Sequence, residues 1–133
     1  MSNIFESNIY IIKYLPQSQK DFEAIFDYIA KDNKDVALQF LGEFDKSIGR
    51  LEQNALLGKE PNNEKMQKLG YRFLDVKNYF VFYRLKGNLV EVQRIIFGWV
   101  KNWQIEPPNG EHLTHKEMME YLKGYIEAKG KKL

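Results

Sequence analysis

The sequence predicts an α+β fold: an antiparallel sheet, made of an N-terminal strand plus a three-stranded meander, packed against an N-terminal helical hairpin, with an extra C-terminal helix. Three observations predict it. Two consecutive segments carry apolar residues at helical spacing and are joined by only four polar residues. Three runs rich in β-branched and aromatic residues follow, separated by tight polar turns. A fourth such run stands near the N-terminus and needs a sheet to join.

Asn8 to Tyr14 (NIYIIKY) reads as the first strand, and Pro16 ends it, since proline cannot serve an interior ladder. Ser18 then stands as a helix N-cap, with Asp21 three residues on. Phe22, Ile25, Phe26 and Ile29 form one apolar stripe. Lys31 to Lys34 is a polar break in which Asp32 or Asn33 caps a second helix. Its stripe is Ala37, Phe40, Leu41, Phe44, Ile48 and Leu51. So short a link makes an antiparallel hairpin.

Leu57 to Lys65 has the composition of a loop. Strands are predicted over Tyr71–Val76, Tyr79–Leu85 and Leu89–Phe97, with turns at Lys77–Asn78 and Lys86–Asn88. The N-terminal strand finds its place at an edge of the same sheet. Simple alternation puts Val90, Val92, Arg94 and Ile96 on one side of the last strand, and Leu89, Glu91, Gln93, Ile95 and Phe97 on the other. Both sides are apolar enough that the second face needs cover, from the C-terminal segment or from another protein.

Pro107, Pro108, Asn109 and Gly110 form a rigid break. Thr114 and Glu117 then make a capping box ahead of the stripe Met118, Tyr121, Leu122 and Tyr125. The expected organisation is therefore a domain over residues 1–103 and a proline-jointed helical extension over 104–133.

The 133 residues suit one core. The absence of cysteine excludes disulfides, thiolate metal sites and cysteine nucleophiles. Two histidines, His112 and His115, are too few for a histidine-rich metal site and read as local polar contacts. No nucleotide-binding glycine pattern, zinc-protease motif or nucleophile elbow is present, so no cofactor and no metal is expected. Without a signal peptide or a membrane-length apolar run, the expected location is the cytoplasm, with no membrane partner.

Charge is unevenly spread. Residues 1–64 hold 7 Lys+Arg against 11 Asp+Glu, whereas residues 65–103 hold 8 against 2. The basic zone is interleaved with rings: Tyr71, Arg72, Lys77, Tyr79, Tyr83, Arg84, Arg94, Trp99, Lys101 and Trp103. Cations pair with phosphates or acidic partners, and exposed rings stack on bases. The competing reading is that the rings fill core space and the arginines reach out from it, Arg94 pairing with a helix carboxylate.

The stretch YIIKYLPQSQKDFEAIFDYIAKDN, a second helix, and then LGYRFLDVKNYFVFYRLKGNLVEVQRIIFG resemble the RelE/ParE superfamily of toxins from bacterial type II toxin–antitoxin systems. The resemblance spans residues 8–103. It implies growth inhibition, plasmid stabilization, and neutralisation by a cognate antitoxin, with operator DNA reached only through that antitoxin. The apolar, basic sheet itself makes the expected partner a cognate acidic antitoxin, partly unfolded, that covers apolar sheet area and contacts Arg72, Arg84 or Arg94. One branch of the superfamily cleaves mRNA on the ribosome without a metal. Another poisons DNA gyrase and lacks the nuclease residues.

Laid over the nuclease pattern, Arg72 matches a basic position, but Phe80 stands where an arginine is expected. Trp99 and Val100 stand where another is expected. The resemblance thus favours a non-nucleolytic, gyrase-poison-like toxin. Two alternatives stay open: a ribosome-dependent mRNA endonuclease using Arg72, Arg94 and Lys101, and a non-toxic binding module or corepressor. The residues expected at a partner or nucleic-acid contact are Arg72, Lys77, Tyr79, Tyr83, Arg84, Arg94, Trp99 and Lys101.

Overall fold

The computed structural model describes residues 10–62 and 64–97, together with the backbone of Leu113–Thr114. Strand β1 (Ile11–Tyr14) buries Ile12 and Tyr14 and turns Ile11 outward. Helix α1 (Pro16–Asp32) starts two residues before the predicted cap. Proline suits a first helical turn, because its φ is preset and the N–H it lacks would find no partner there. Ser18 is buried inside that turn, and its hydroxyl donates to Leu15 O at 2.7 Å.

Asn33 alone links α1 to α2 (Lys34–Gly49), and its Oδ1 accepts the Val36 N–H at 3.1 Å, the cap expected there. Phe22 lies 5.5 Å from Phe40 and 4.7 Å from Phe44, ring centre to ring centre, which locks the hairpin. Burying each such ring contributes about 2–3 kcal/mol. A 3-10 turn (Arg50–Glu52) follows α2. Part of the segment expected to be a loop instead forms a one-turn helix, α3 (Glu64–Lys68). Good helix formers and an exposed Glu64–Lys68 pair favour it locally. Gly70 closes it at φ +88°, a conformation that favours glycine.

Strands β2 (Tyr71–Val76), β3 (Tyr79–Lys86) and β4 (Leu89–Phe97) form the predicted antiparallel meander. The β2–β3 turn holds both Lys77 (φ +51°) and Asn78 (φ +73°) in the left-handed region, as a two-residue hairpin requires. The strand order is β2-β3-β4-β1-β5, where β5 is Leu113–Thr114.

One pairing differs from expectation. β1 runs parallel to β4, from Ile11 opposite Leu89 to Tyr14 opposite Val92, so the sheet is mixed. The cause is the hairpin. α2 brings the chain back to the level where β1 began, with the Tyr10 N–H on Glu52 O at 2.8 Å. β2 therefore starts from the same end as β1, and two reversals later β4 runs the same way.

The faces of β4 also differ from simple alternation. Tyr83 stands opposite Val92 while Phe82 stands opposite Arg94, so Gln93 is an extra, bulged residue. A bulge shifts the parity of every residue beyond it. Val90, Val92 and Ile95 consequently share the core with Ile12, Tyr14, Val81 and Tyr83. β5 pairs antiparallel with the outer edge of β1. Thr114, expected as a helix cap, is thus in extended pairing, which an N-cap backbone permits. The helix expected over Met118–Tyr125 lies outside the described residues, as do Trp99, Lys101, Trp103, His112 and His115. Among the described residues, no helix is long and apolar enough to cross a membrane.

Candidate functional site

Three of the residues expected at a contact surface face inward. Tyr83 is fully buried. Its hydroxyl donates to Ala55 O at 2.7 Å and accepts the Gly58 N–H at 3.0 Å. Arg72 clamps the same loop, with Nη1 donating to Gly58 O at 2.7 Å and to Leu56 O at 3.3 Å. Burial raises the Tyr83 hydroxyl above its ordinary value, while the Gly58 N–H and the Arg72 charge oppose the rise. A Cβ on Gly58 would stand 2.6 Å from the Tyr83 hydroxyl, so only glycine fits beneath the clamp.

Arg94 is the third. Its guanidinium donates to both oxygens of Asp21, from Nε at 2.8 Å and from Nη2 at 3.1 Å. The same carboxylate accepts the Ile95 N–H at 2.9 Å and the Gln17 side chain at 3.0 Å. Beyond Val92, β4 has outrun β1, and α1 fills the gap with Asp21. This residue was expected as a capping partner. Its true role depends on the bulge, which no local sequence signal announces.

Lys77 and Tyr79 lie elsewhere, on a rim between the far end of the hairpin and the β2–β3 turn. Lys77, Asn78, Tyr79 and Phe97 line a groove of about 420 Å³ with Ile29, Val36, Gln39, Phe40 and Glu43. A second hollow of about 310 Å³ continues over Ala24, Ile25 and Tyr28. Tyr28 is 74% exposed, while Val36 and Phe97 are more than 40% exposed. Burial, and then the neighbouring Tyr28, raise the Tyr79 hydroxyl. Tyr28, Val36 and Phe97 were absent from the expected set. Tyr28 and Val36 fall off the two helix stripes, which was a readable signal of exposure, whereas simple alternation misjudged Phe97.

The sheet face turned away from the hairpin is aromatic. Phe73 and Phe80 meet edge to face at 5.3 Å, and Tyr71 stacks on Phe82 at 5.1 Å. Arg84 lies 5.6 Å over the Tyr71 ring and donates from Nε to Leu69 O at 2.9 Å. Phe80, the position where a nuclease would carry a cation, thus belongs to a ring cluster. Among the described residues, no group of three or more His, Cys, Asp or Glu side chains comes together to hold a metal ion.

A helical hairpin on a small mixed sheet, with an exposed apolar rim and with Arg72, Arg84 and Arg94 tied to structure, defines a compact α+β domain. Over residues 12–97, well over half the chain, the sequence matches the family described as ParE toxin of type II toxin-antitoxin system, parDE. The chain belongs to that family and is a toxin of the RelE/ParE type, with residues 98–133 beyond the family domain. A solved structure, "Chromosomal ParDE TA system from P. aeruginosa", shares the fold with a TM-score of 0.56 and 22% identity. The match covers 68% of this chain and 98% of that one. No curated protein matches the sequence.

Proposed function

We propose that this toxin arrests growth by a non-nucleolytic, gyrase-directed action, and that a cognate antitoxin neutralises it. The observation that carries this reading is the engagement of the basic residues. A nuclease of this type needs cations free to stabilise the charge that develops on phosphate. Here Arg72 is spent on the carbonyls of Leu56 and Gly58, Arg94 on Asp21, and Phe80 on Phe73. Family membership supports the toxin role, and the aromatic Phe73–Phe80 cluster argues against phosphate chemistry there.

The rim is the place where we put the antitoxin. Tyr28, Val36, Tyr79 and Phe97 offer apolar area, and Lys77 offers a cation beside it. An acidic, amphipathic segment suits that combination.

The test is induction of the toxin alone, followed over the first minutes by growth, mRNA 5′ ends and plasmid supercoiling. Growth arrest with altered supercoiling and unchanged mRNA ends is expected, relieved when the antitoxin is co-expressed. New in-codon mRNA ends would overturn the mechanism, and unaffected growth would overturn the toxin action itself.

A further inference from the structure

The arginine clamp on the loop after the 3-10 turn holds two leucines out toward solvent. Leu56 is 57% exposed and Leu57 40%. The backbone beneath them is nevertheless fixed residue by residue. Ala55 O accepts the Tyr83 hydroxyl, Leu56 O and Gly58 O accept Arg72 Nη1, and the Leu57 N–H donates to Asn54 O at 3.2 Å. Lys59 then exchanges two backbone bonds with Phe73 of β2, at 2.8 and 2.9 Å. A third leucine, Leu69, is 44% exposed just before β2, and its carbonyl accepts Arg84 Nε. A single exposed leucine is ordinary on a protein surface. Two in succession on a braced loop suit recognition, because the loop loses little freedom when a partner arrives.

We infer that Leu56 and Leu57 form a preorganised contact for an acidic surface on the protein that the toxin attacks, separate from the rim assigned to the antitoxin. The inference rests on the reading that this toxin acts by docking to a target protein. Charge selects the sign of the partner. Residues 50–72 carry 5 Lys+Arg against 3 Asp+Glu, whereas the helical hairpin, residues 16–49, carries 4 against 7. Glu64 and Lys68 pair with each other at 3.4 Å, and Lys59 and Lys65 stand exposed. A broad acidic surface is therefore favoured on the loop side, whereas the rim offers Lys77 beside an acidic hairpin. Position separates the two surfaces. Arg72 is the second residue of β2, while Lys77 follows its last, about 17 Å along the strand. A target seated on the leucines leaves the rim open.

The test uses the full-length toxin. Leu56→Gln with Leu57→Gln removes the apolar contact at similar side-chain size. Leu38→Gln makes the same change on α2, where Leu38 is 42% exposed. All three positions are exposed, so thermal midpoints should stay within about 3 °C of the parent. The double variant should need at least ten times more inducer to arrest growth, with protein levels matching the parent at each concentration. It should also give at least tenfold less linear plasmid in a reaction with purified DNA gyrase. Leu38→Gln should match the parent in both. Lys59→Glu with Lys65→Glu leaves the leucines in place and should weaken arrest several-fold, since it reverses the sign offered to an acidic partner. Arrest by the double variant at the parent's inducer level would overturn the inference, as would an equal loss in Leu38→Gln. Stronger arrest by the glutamate variant would overturn the acidic partner. The underlying reading fails differently. If the parent arrests growth without acting on gyrase, gyrase is not the target, and loss of arrest confined to the double variant still upholds the contact. If the parent leaves growth unaffected, the toxin action is overturned and the inference with it.

Discussion

At the scale of single residues, the basic cluster separates into parts that hold the fold and parts that face outward. Tyr83 is the clearest structural case, since one hydroxyl closes two backbone bonds to the loop under the sheet. Tyr83→Phe should cost about 2 kcal/mol in urea unfolding, because two buried backbone groups lose their partner. Asp21→Ala should cost about 3 kcal/mol, and adding Arg94→Met should recover part of that loss, as for a buried ion pair replaced by apolar contact.

Tyr14 gives a pH test. Burial first, and then the Asp45 and Glu52 carboxylates, raise its hydroxyl well above the usual tyrosine value. The native state keeps that proton above about pH 10, where an unfolded tyrosine releases it. This stability is therefore fully present below about pH 10 and is lost as pH rises further. The thermal midpoint should fall more gently between pH 9 and 11 in Tyr14→Phe than in the parent. Residue types alone announced the arginine–tyrosine cluster. They did not announce which members were committed, because Asp21, Leu56 and Gly58 are brought to them only by the folded topology.

Among elements, local pattern was legible and pairing less so. The apolar stripes located α1 and α2, and β-branched runs located β2, β3 and β4 to within a residue or two. Two features lay beyond local pattern. The parallel pairing of β1 follows from where the hairpin returns the chain, a property of the whole unit. The Gln93 bulge shifts Ile95 onto the core side, and nothing in the run LVEVQRIIF marks the extra residue. The turn at Lys77–Asn78 was recognisable as tight, but Lys77 is a poor fit to a positive φ. Lys77→Asn combined with Asn78→Gly should raise stability by about 1 kcal/mol, read as a higher thermal midpoint.

At the scale of the whole molecule, the fold presents one face to the hairpin, buries much of the other, and leaves an apolar rim at the hairpin's far end. That arrangement suits a protein whose activity depends on docking to other proteins. The uneven charge along the sequence was legible at once and pointed toward a polyanion or an acidic protein partner. The structure gives three of those cations internal partners: Arg72 and Arg94 are engaged by loop carbonyls and Asp21, and Arg84 leans on Tyr71 and Leu69. The most direct test of the non-nucleolytic reading uses the purified toxin in two parallel reactions, DNA gyrase with supercoiled plasmid and a reconstituted translation system with defined mRNA. Linear plasmid that accumulates only when gyrase is present, beside intact message, is the expected result. Codon-positioned cuts in the message, with plasmid unaffected, would contradict it.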